Sequence, residues 1–419
     1  MGDYRPRVVD KELKQKLKVS GAILIKGAKA TGKTETARQR AKSEARIDVD
    51  ADIKDKMGID PGLVLEGRNP RLIDEWQLEP DLWNHVRREV DDRKKAGQFI
   101  LTGSADFADA ARMHSGAGRF SVIEMRPMSW LEVGISSGRI SLKKILAGRR
   151  VAPGDECSIA LNEIITHILR GGWPAAIDKS DEEAIEYVRE YVNLLVESDV
   201  SKAPNTRRRR SGTKVRRILD SYSRNIATEA TQSLIVSEAR GEDVSLAQGT
   251  ADRYIEVLKD LMIIEDLPAW RTHIRSSATL RRSEKKYFVD PSIAAACLEL
   301  DIDQLISDLH YLGLLFEATA IRDLRVYARA NGAKVSHYRD SSGLEIDAIV
   351  HGGGSWSAFE IKLGRDKHDA AAKSLRKLAS LIDVKKTKPP TSLNIITGFG
   401  FGHTRSDGVN VIPLAELGI

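Results

Sequence analysis

The eight residues Gly27-Ala28-Lys29-Ala30-Thr31-Gly32-Lys33-Thr34 follow the apolar run Ala22-Ile23-Leu24-Ile25 and lead into a helix-forming segment. A glycine-bearing turn between a buried strand and a helix, closed by Lys-Thr, has the form of a phosphate-binding loop. Gly27 and Gly32 let the backbone N–H groups of the loop, through Ala28, Lys29, Ala30 and Thr31, turn inward as an anion nest. Lys33 adds a point charge for the outer phosphates, and the Thr34 hydroxyl is suited to Mg²⁺. The loop predicts a parallel α/β nucleotide-binding domain with ATP and Mg²⁺ as its ligands.

Such a loop needs a second element for the metal and for water, and Pro70-Arg71-Leu72-Ile73-Asp74-Glu75 has its form. Leu72 and Ile73 read as a buried strand. Asp74 at its carboxyl end is expected to hold Mg²⁺ through water, and Glu75 to polarise the attacking water. A third strand, Gln98-Phe99-Ile100-Leu101, ends in Thr102-Gly103-Ser104, where a hydroxyl, Ser104 in particular, can sense the terminal phosphate. Arg119, in a glycine-rich stretch, is a candidate for the charge that completes the site, in its own subunit or a neighbour's; a solvated arginine is the alternative. Assembly into an oligomer is left open.

At 419 residues the chain has room for several domains. Its 66 basic and 60 acidic residues nearly cancel, so the net charge of +6 says little about partners. Two cysteines, Cys157 and Cys297, do not make a disulfide framework and suit a reducing compartment. The charged stretch Met1 to Lys18 lacks an apolar run, which reads as a cytoplasmic protein with no membrane partner.

Alternating strands and helices run from Ala22 to Met125, giving an ATPase core over 1–130. A helical lid or connector is expected over 131–201, broken at Gly171-Gly172-Trp173-Pro174, with an amphipathic stretch from Ala184 to Val200. Four arginines, Arg207 to Arg210, lie in a linker-like segment that suits DNA phosphates or is simply solvated. Over 202–298 a winged helix is expected: helices Ala227 to Arg240 and Ser245 to Ile264, then a wing from Ile263 to Trp270 returning through Lys285 to Val289. Its basic tip would carry Arg271, Arg275, Arg281 and Arg282. That arrangement fits DNA contact, and equally a protein-protein spacer.

Over 299–419, Glu345-Ile346-Asp347-Ala348-Ile349-Val350 and Ser357-Ala358-Phe359-Glu360-Ile361-Lys362-Leu363 read as neighbouring strands. Alternation sets Glu345 with Asp347 and Glu360 with Lys362, while Phe359, Ile361 and Leu363 enter the core. Asp347 and Glu360, joined by Glu317 from the preceding helix, are candidate Mg²⁺ ligands. Lys362 is the candidate to orient or deprotonate a water for phosphodiester attack. A surface ladder of Glu and Lys is the plainer reading.

The chain resembles the bacterial and archaeal AAA-type ATPases in which a P-loop domain is followed by a winged helix and a PD-(D/E)xK, restriction-endonuclease-like domain. The likeness rests on Gly27 to Thr34, Leu72 to Glu75, Leu101 to Ser104, Gly118-Arg119, Arg126 to Ser129 and Gly171 to Pro174. Later it rests on Tyr287-Phe288-Val289-Asp290, Tyr338-Arg339, Glu345 to Asp347 and Glu360 to Lys362. It implies ATP binding by Gly32, Lys33 and Thr34, with Mg²⁺ and water handled by Asp74 and Glu75. Two departures are the very basic Lys202 to Lys214 and Ala348, where the family commonly has phenylalanine. The expectation is an ATPase whose nucleotide state biases a winged helix and a nuclease-like domain acting on DNA. Its rival is a nucleotide-gated DNA- or protein-binding switch with an inert carboxyl-terminal domain.

Overall fold

The computed structural model describes residues 4–103, 116–199, 212–241, 246–270, 283–382, 384 and 387–419. The chain divides into two units, the first built from Met1–Pro127 and the second from most of the remainder.

In the first unit, helix α1 (Val9–Lys16) precedes strand β1 (Ala22–Lys26), after which come α2 (Lys33–Arg38), β2 (Ser43–Arg46) and α3 (Ile53–Ile59). Next are β3 (Arg71–Asp74), α4 (Leu82–Arg93), β4 (Phe99–Gly103) and β5 (Phe120–Glu124). The five strands are all parallel, in the order β2-β3-β4-β1-β5. Alternation along β1 explains why the strand is apolar throughout. Ile23 and Ile25 pack with Leu13 and Ala37 beneath α1 and α2, while Ala22 and Leu24 join Leu82, Trp83, Val86 and Val90 of α4. In register, Asp74 lies beside Thr102, and Lys26 beside Gly103 and Glu124, so the carboxyl ends of β1, β3, β4 and β5 form one edge. Ligands of parallel sheets gather outside that edge.

The second unit begins with α5 (Trp130–Val133), β6 (Ile140–Ser141) and α6 (Leu142–Leu146), followed by α7 (Leu161–Arg170) and α8 (Asp181–Leu194). Then come α9 (Gly212–Arg224), α10 (Gln232–Arg240), α11 (Gln248–Asp260), α12 (Ser292–Cys297), α13 (Ile302–Ser307) and α14 (Leu309–Ala330). The carboxyl-terminal strands are β7 (Lys334–Arg339), β8 (Glu345–Gly352), β9 (Ser355–Lys362), β10 (Leu393–Thr397), β11 (His403–Thr404) and β12 (Asn410–Pro413), with α15 (His368–Leu381) after β9. They form a mixed sheet in the order β11-β12-β10-β9-β8-β7. Last, β13 (Leu417–Gly418) pairs in parallel with β6. Ser136 Oγ donates to the Leu417 carbonyl at 2.7 Å, and Cys157 bridges Gly400. Residues 136–157, expected within a lid, are thus paired with the carboxyl-terminal strands.

The two helices expected at 227–264 are both shorter. Thr231 caps α10, its hydroxyl accepting from the Leu234 N–H, while Ala227 is left-handed (φ 59°) with its N–H on the Lys286 carbonyl. Met262, also left-handed at φ 54°, stops α11. The chain then forms antiparallel bridges, Ile264 with Phe288 and Leu267 with Lys285. Arg207 to Arg210, Arg271, Arg275, Arg281 and Arg282 lie outside the described residues.

A buried ion triad ties this unit together. The Arg322 guanidinium donates to Asp290 at 2.8 Å and to Asp323 at 2.9 Å, all three side chains being essentially inaccessible. Asp290 also accepts from the Gly172 N–H, and Asp323 from the Trp130 N–H, each at 3.0 Å. Four distant stretches of sequence meet there, and the Gly172 carbonyl takes the Met128 N–H at 2.6 Å.

Candidate functional site

At the carboxyl edge of the parallel sheet the loop after β1 turns through Ala30 (φ 61°) and Gly32 (φ 89°) before α2. Ala30 holds a left-handed conformation without being glycine, a strain of the kind kept at ligand clamps. A side chain on Gly27 would meet the Met125 carbonyl oxygen at 2.2 Å, so the loop can run this close to the end of β5 only as glycine. Lys33 is 7% exposed and donates to the carbonyls of Gly27 at 2.9 Å and Ala28 at 2.8 Å. Burial lowers its pKa to about 8, against the pull of Glu75 and Asp74.

Thr34 Oγ1 donates to Asp74 Oδ1 at 2.9 Å, and Thr102 Oγ1 donates to the same oxygen. β4 lies between β1 and β3, so Asp74 reaches the loop across an intervening strand whose Thr102 steadies it. Glu75 follows in a left-handed conformation (φ 54°), with its carboxylate held by the Gln77 amide. A hydroxyl and a carboxylate side by side form an all-oxygen donor set that suits Mg²⁺. The residues present therefore fit the metal implied by the loop.

Arg7 was not expected from sequence. Its buried guanidinium donates to the Thr31 carbonyl at 2.7 Å and the Arg126 carbonyl at 2.8 Å, clamping the loop to the chain leaving β5. No motif marks an arginine in a polar amino-terminal stretch, so only the fold reveals it.

Arg119 is not brought to the loop. It precedes β5, its carbonyl accepts from Ala22 at the start of β1, and its guanidinium pairs with Asp91 of α4 at 2.8 Å. It therefore sits at the amino edge of the sheet, with the length of β1, roughly 16 Å at about 3.3 Å per residue, separating it from the phosphate loop. Ser104 lies outside the described residues; Thr102 is the hydroxyl of β4 that the structure sets against Asp74, beside Thr34.

On the carboxyl-terminal sheet Asp347, Glu360 and Lys362 do meet. Lys362 Nζ is 2.8 Å from Asp347 Oδ2 and 2.7 Å from Glu360 Oε2, and the Ile361 N–H also donates to Asp347 Oδ2 at 2.8 Å. The cluster is not a surface ladder: Asp347 and Glu360 are about as buried as Phe359 and Ile361, because helices cover the sheet. A cation the sequence did not flag completes it. Lys285 Nζ, from the stretch bridged to Leu267, lies 2.9 Å from Glu317, 2.7 Å from Glu345 and 3.5 Å from Asp347.

Burial opposes the Lys285 ammonium, but Glu317 and its neighbours outweigh this and hold its pKa well above the usual lysine value. Burial likewise disfavours the Asp347 carboxylate, yet Lys362 and Lys285 hold its pKa well below the ordinary range. Glu360 is pushed well up by burial and the Asp347 charge. Among the described residues no group of three or more His, Cys, Asp or Glu side chains is arranged to hold a metal ion. Asp347, Glu360 and Glu317, expected as Mg²⁺ ligands, form ion pairs with lysines instead. None of the helices among the described residues is long and apolar enough to cross a membrane.

Comparison with known proteins divides along the same lines. Residues 19–134 match a family model described as an AAA domain. Residues 161–304 and 312–417 match two models each described as a domain of unknown function, DUF8612 and DUF4143. Over 415 residues the chain is 27% identical to uncharacterized proteins of Mycobacterium tuberculosis and Mycobacterium bovis, spanning 97% of this chain and 82% of theirs. Among solved structures, the Walker-type ATPase PABY2304 of Pyrococcus abyssi aligns at 13% identity with a TM-score of 0.43, over 71% of this chain and 99% of that one. A DNA replication initiation factor aligns at 14% identity with a TM-score of 0.28, over 61% and 90%. Both superpose too loosely to bear on fold or function. The strand-loop-helix geometry and the family match agree, and the amino-terminal part of this chain is an AAA-type P-loop domain.

Proposed function

We propose that the protein binds ATP with Mg²⁺ and hydrolyses it. The observation that carries this reading is the contact of Thr34 with Asp74 at the carboxyl edge of a parallel sheet, beside the buried Lys33. In this reading Lys33 exchanges the Gly27 and Ala28 carbonyls for phosphate oxygens, and the inward-turned amides of the loop take the remaining charge. Thr34 and Asp74 would hold Mg²⁺, which supplies charge neutralisation on the phosphates. Glu75, next to Asp74 and oriented by Gln77, positions the attacking water and accepts its proton. Thr102 keeps Asp74 aimed at the loop.

The hydrolysis cycle would bias a winged-helix element over 202–298. Support comes from three helices, α9 to α11, followed by the antiparallel bridges at Ile264 and Leu267. Duplex DNA is the proposed partner of that element, on the strength of the four consecutive arginines at 207–210. ATP turnover with and without duplex DNA tests the whole reading. Hydrolysis that requires Mg²⁺, disappears in Lys33→Ala and Glu75→Gln, and rises with DNA is expected. Turnover unaffected by Lys33→Ala would overturn the site, and turnover indifferent to DNA would remove the DNA limb alone.

A further inference from the structure

A PD-(D/E)xK-like domain implies a divalent metal on Asp347 and Glu360, and the residues present do not fit one. Asp347 has both oxygens engaged: Oδ1 faces Lys285, and Oδ2 takes Lys362 together with the Ile361 N–H. Glu317 Oε1 is shared by the Lys285 ammonium and the Tyr287 hydroxyl. Glu360 is bound by Lys362. Mg²⁺ would need these oxygens at about 2.0–2.1 Å in an octahedral shell.

We propose that the Lys285 ammonium permanently takes the place of a divalent metal in this acidic centre, making the carboxyl-terminal domain metal-independent and joining it to the segment that precedes it. Three observations carry the proposal. An ammonium has three protons to donate, and three carboxylates surround this one, from Glu317 on α14 and from Glu345 and Asp347 on β8. The lysine side chain is only 2% exposed, so its charge cannot swing out to water from where it stands. Its backbone is fixed as well, the Lys285 N–H donating to the Leu267 carbonyl at 3.0 Å and the Leu267 N–H returning the bond at 2.8 Å.

Four carboxylates, Glu317, Glu345, Asp347 and Glu360, are met by the ammonium groups of Lys285 and Lys362, with Arg339 on the outer side of Glu345 at 3.4 Å. A divalent ion entering beside Lys285 would be repelled by a fixed charge it could not displace. Removing that ammonium leaves a buried set of oxygens that calls for another cation. The inference concerns the second unit alone and stands or falls independently of ATP hydrolysis.

The test uses the full chain without nucleotide and Mn²⁺ as the probe, its binding counted from the loss of the free-ion paramagnetic resonance signal. The parent and Asp347→Asn are expected to bind the same number of ions. Lys285→Met should gain one ion, lost again in Lys285→Met/Asp347→Asn, and its melting temperature should rise with Mn²⁺ where the parent's second unit does not respond. An ion bound by the parent and lost in Asp347→Asn would overturn the proposal. So would a folded Lys285→Met that gains none. Should Lys285→Met fail to fold, the comparison of the parent with Asp347→Asn decides the matter on its own, equal counts sustaining the proposal.

Discussion

The Thr34 hydroxyl, in the first turn of α2, and the Asp74 carboxylate, forty residues on at the end of β3, are hydrogen-bonded at 2.9 Å although β1, which leads into the loop, and β3 are not neighbours. Thr102 on the strand between β1 and β3 donates to the same oxygen, so Asp74 is held toward the loop by the sheet itself. Thr34→Val keeps the volume and removes the metal-facing oxygen. ATP affinity in excess EDTA should be unchanged, while the gain on adding Mg²⁺ should shrink by about tenfold or more, about 1.4 kcal/mol. Calorimetry with and without Mg²⁺ reads both quantities, and an undiminished Mg²⁺ gain would remove Thr34 from the metal's shell.

Lys33 titrates near 8 because burial disfavours its charge. A triphosphate prefers the ammonium, so binding raises that pKa and takes up a proton once the pH exceeds about 8. By linkage, affinity should hold roughly level from pH 7 to 8 and then fall by up to about tenfold per unit above it. The proton uptake is measurable by calorimetry in buffers of different ionisation enthalpy. An affinity flat to pH 10 would show that Lys33 is an ordinary lysine.

Arg7 fastens the loop through backbone carbonyls on either side of it. Arg7→Met leaves the Thr31 and Arg126 carbonyls without that donor and should cost about 1–3 kcal/mol of stability in urea titrations of the first unit. ATP affinity should fall with it, and Mg²⁺ dependence should not, since Thr34 and Asp74 are held to each other and to Thr102.

Much of the nucleotide site was legible because its chemistry is local. Gly27 to Thr34 and Leu72 to Glu75 declare a loop and a strand end through residue type alone, and register does the rest. The carboxyl-terminal strands were legible for the same reason, as alternation around Glu345 and Ser357. Lys285 was not. It lies 32 residues from Glu317 and 62 from Asp347, and only the bridge to Leu267 carries it inside. A lysine in a stretch beginning Arg281-Arg282-Ser283-Glu284 reads as solvated until its partners are known. Arg119 differs in the opposite sense: its glycine-rich surroundings suggested a phosphate ligand, but they fall before β5 instead of after it, which sets it away from the loop of its own chain and leaves the neighbouring subunit's loop as the alternative.

That position makes Arg119 separable by experiment. Its pairing with Asp91 is solvent-exposed, so Arg119→Ala should barely move the melting temperature. ATP affinity at low protein concentration should also be unchanged. Should turnover per chain in the parent rise with protein concentration, the variant is expected to lose that rise and nothing else, the signature of a charge supplied to a neighbouring subunit. Slower turnover in Arg119→Ala at a protein concentration where the chain is monomeric would contradict a role confined to a neighbouring subunit.

Arg322 offers the largest single effect on stability. Its guanidinium is fully buried between Asp290 and Asp323, which in turn hold the Gly172 and Trp130 N–H groups. Arg322→Met would leave two carboxylates inside without their cation, a change that costs about 3–5 kcal/mol in comparable buried pairs. The pH dependence has a definite sign. Burial already pushes the Asp323 carboxyl up against the pull of Arg322, and without the guanidinium its folded-state pKa rises further above the unfolded value of about 3.9. A carboxyl raised in this way favours the folded state only while protonated, so that contribution is present below about pH 4 and lost as the pH climbs through the raised value. The variant's deficit against the parent should therefore be greatest near neutral pH and shrink toward pH 4, measured by urea unfolding at each pH. A deficit independent of pH would mean that lost packing of the arginine stem, and not the stranded charge, accounts for the destabilisation.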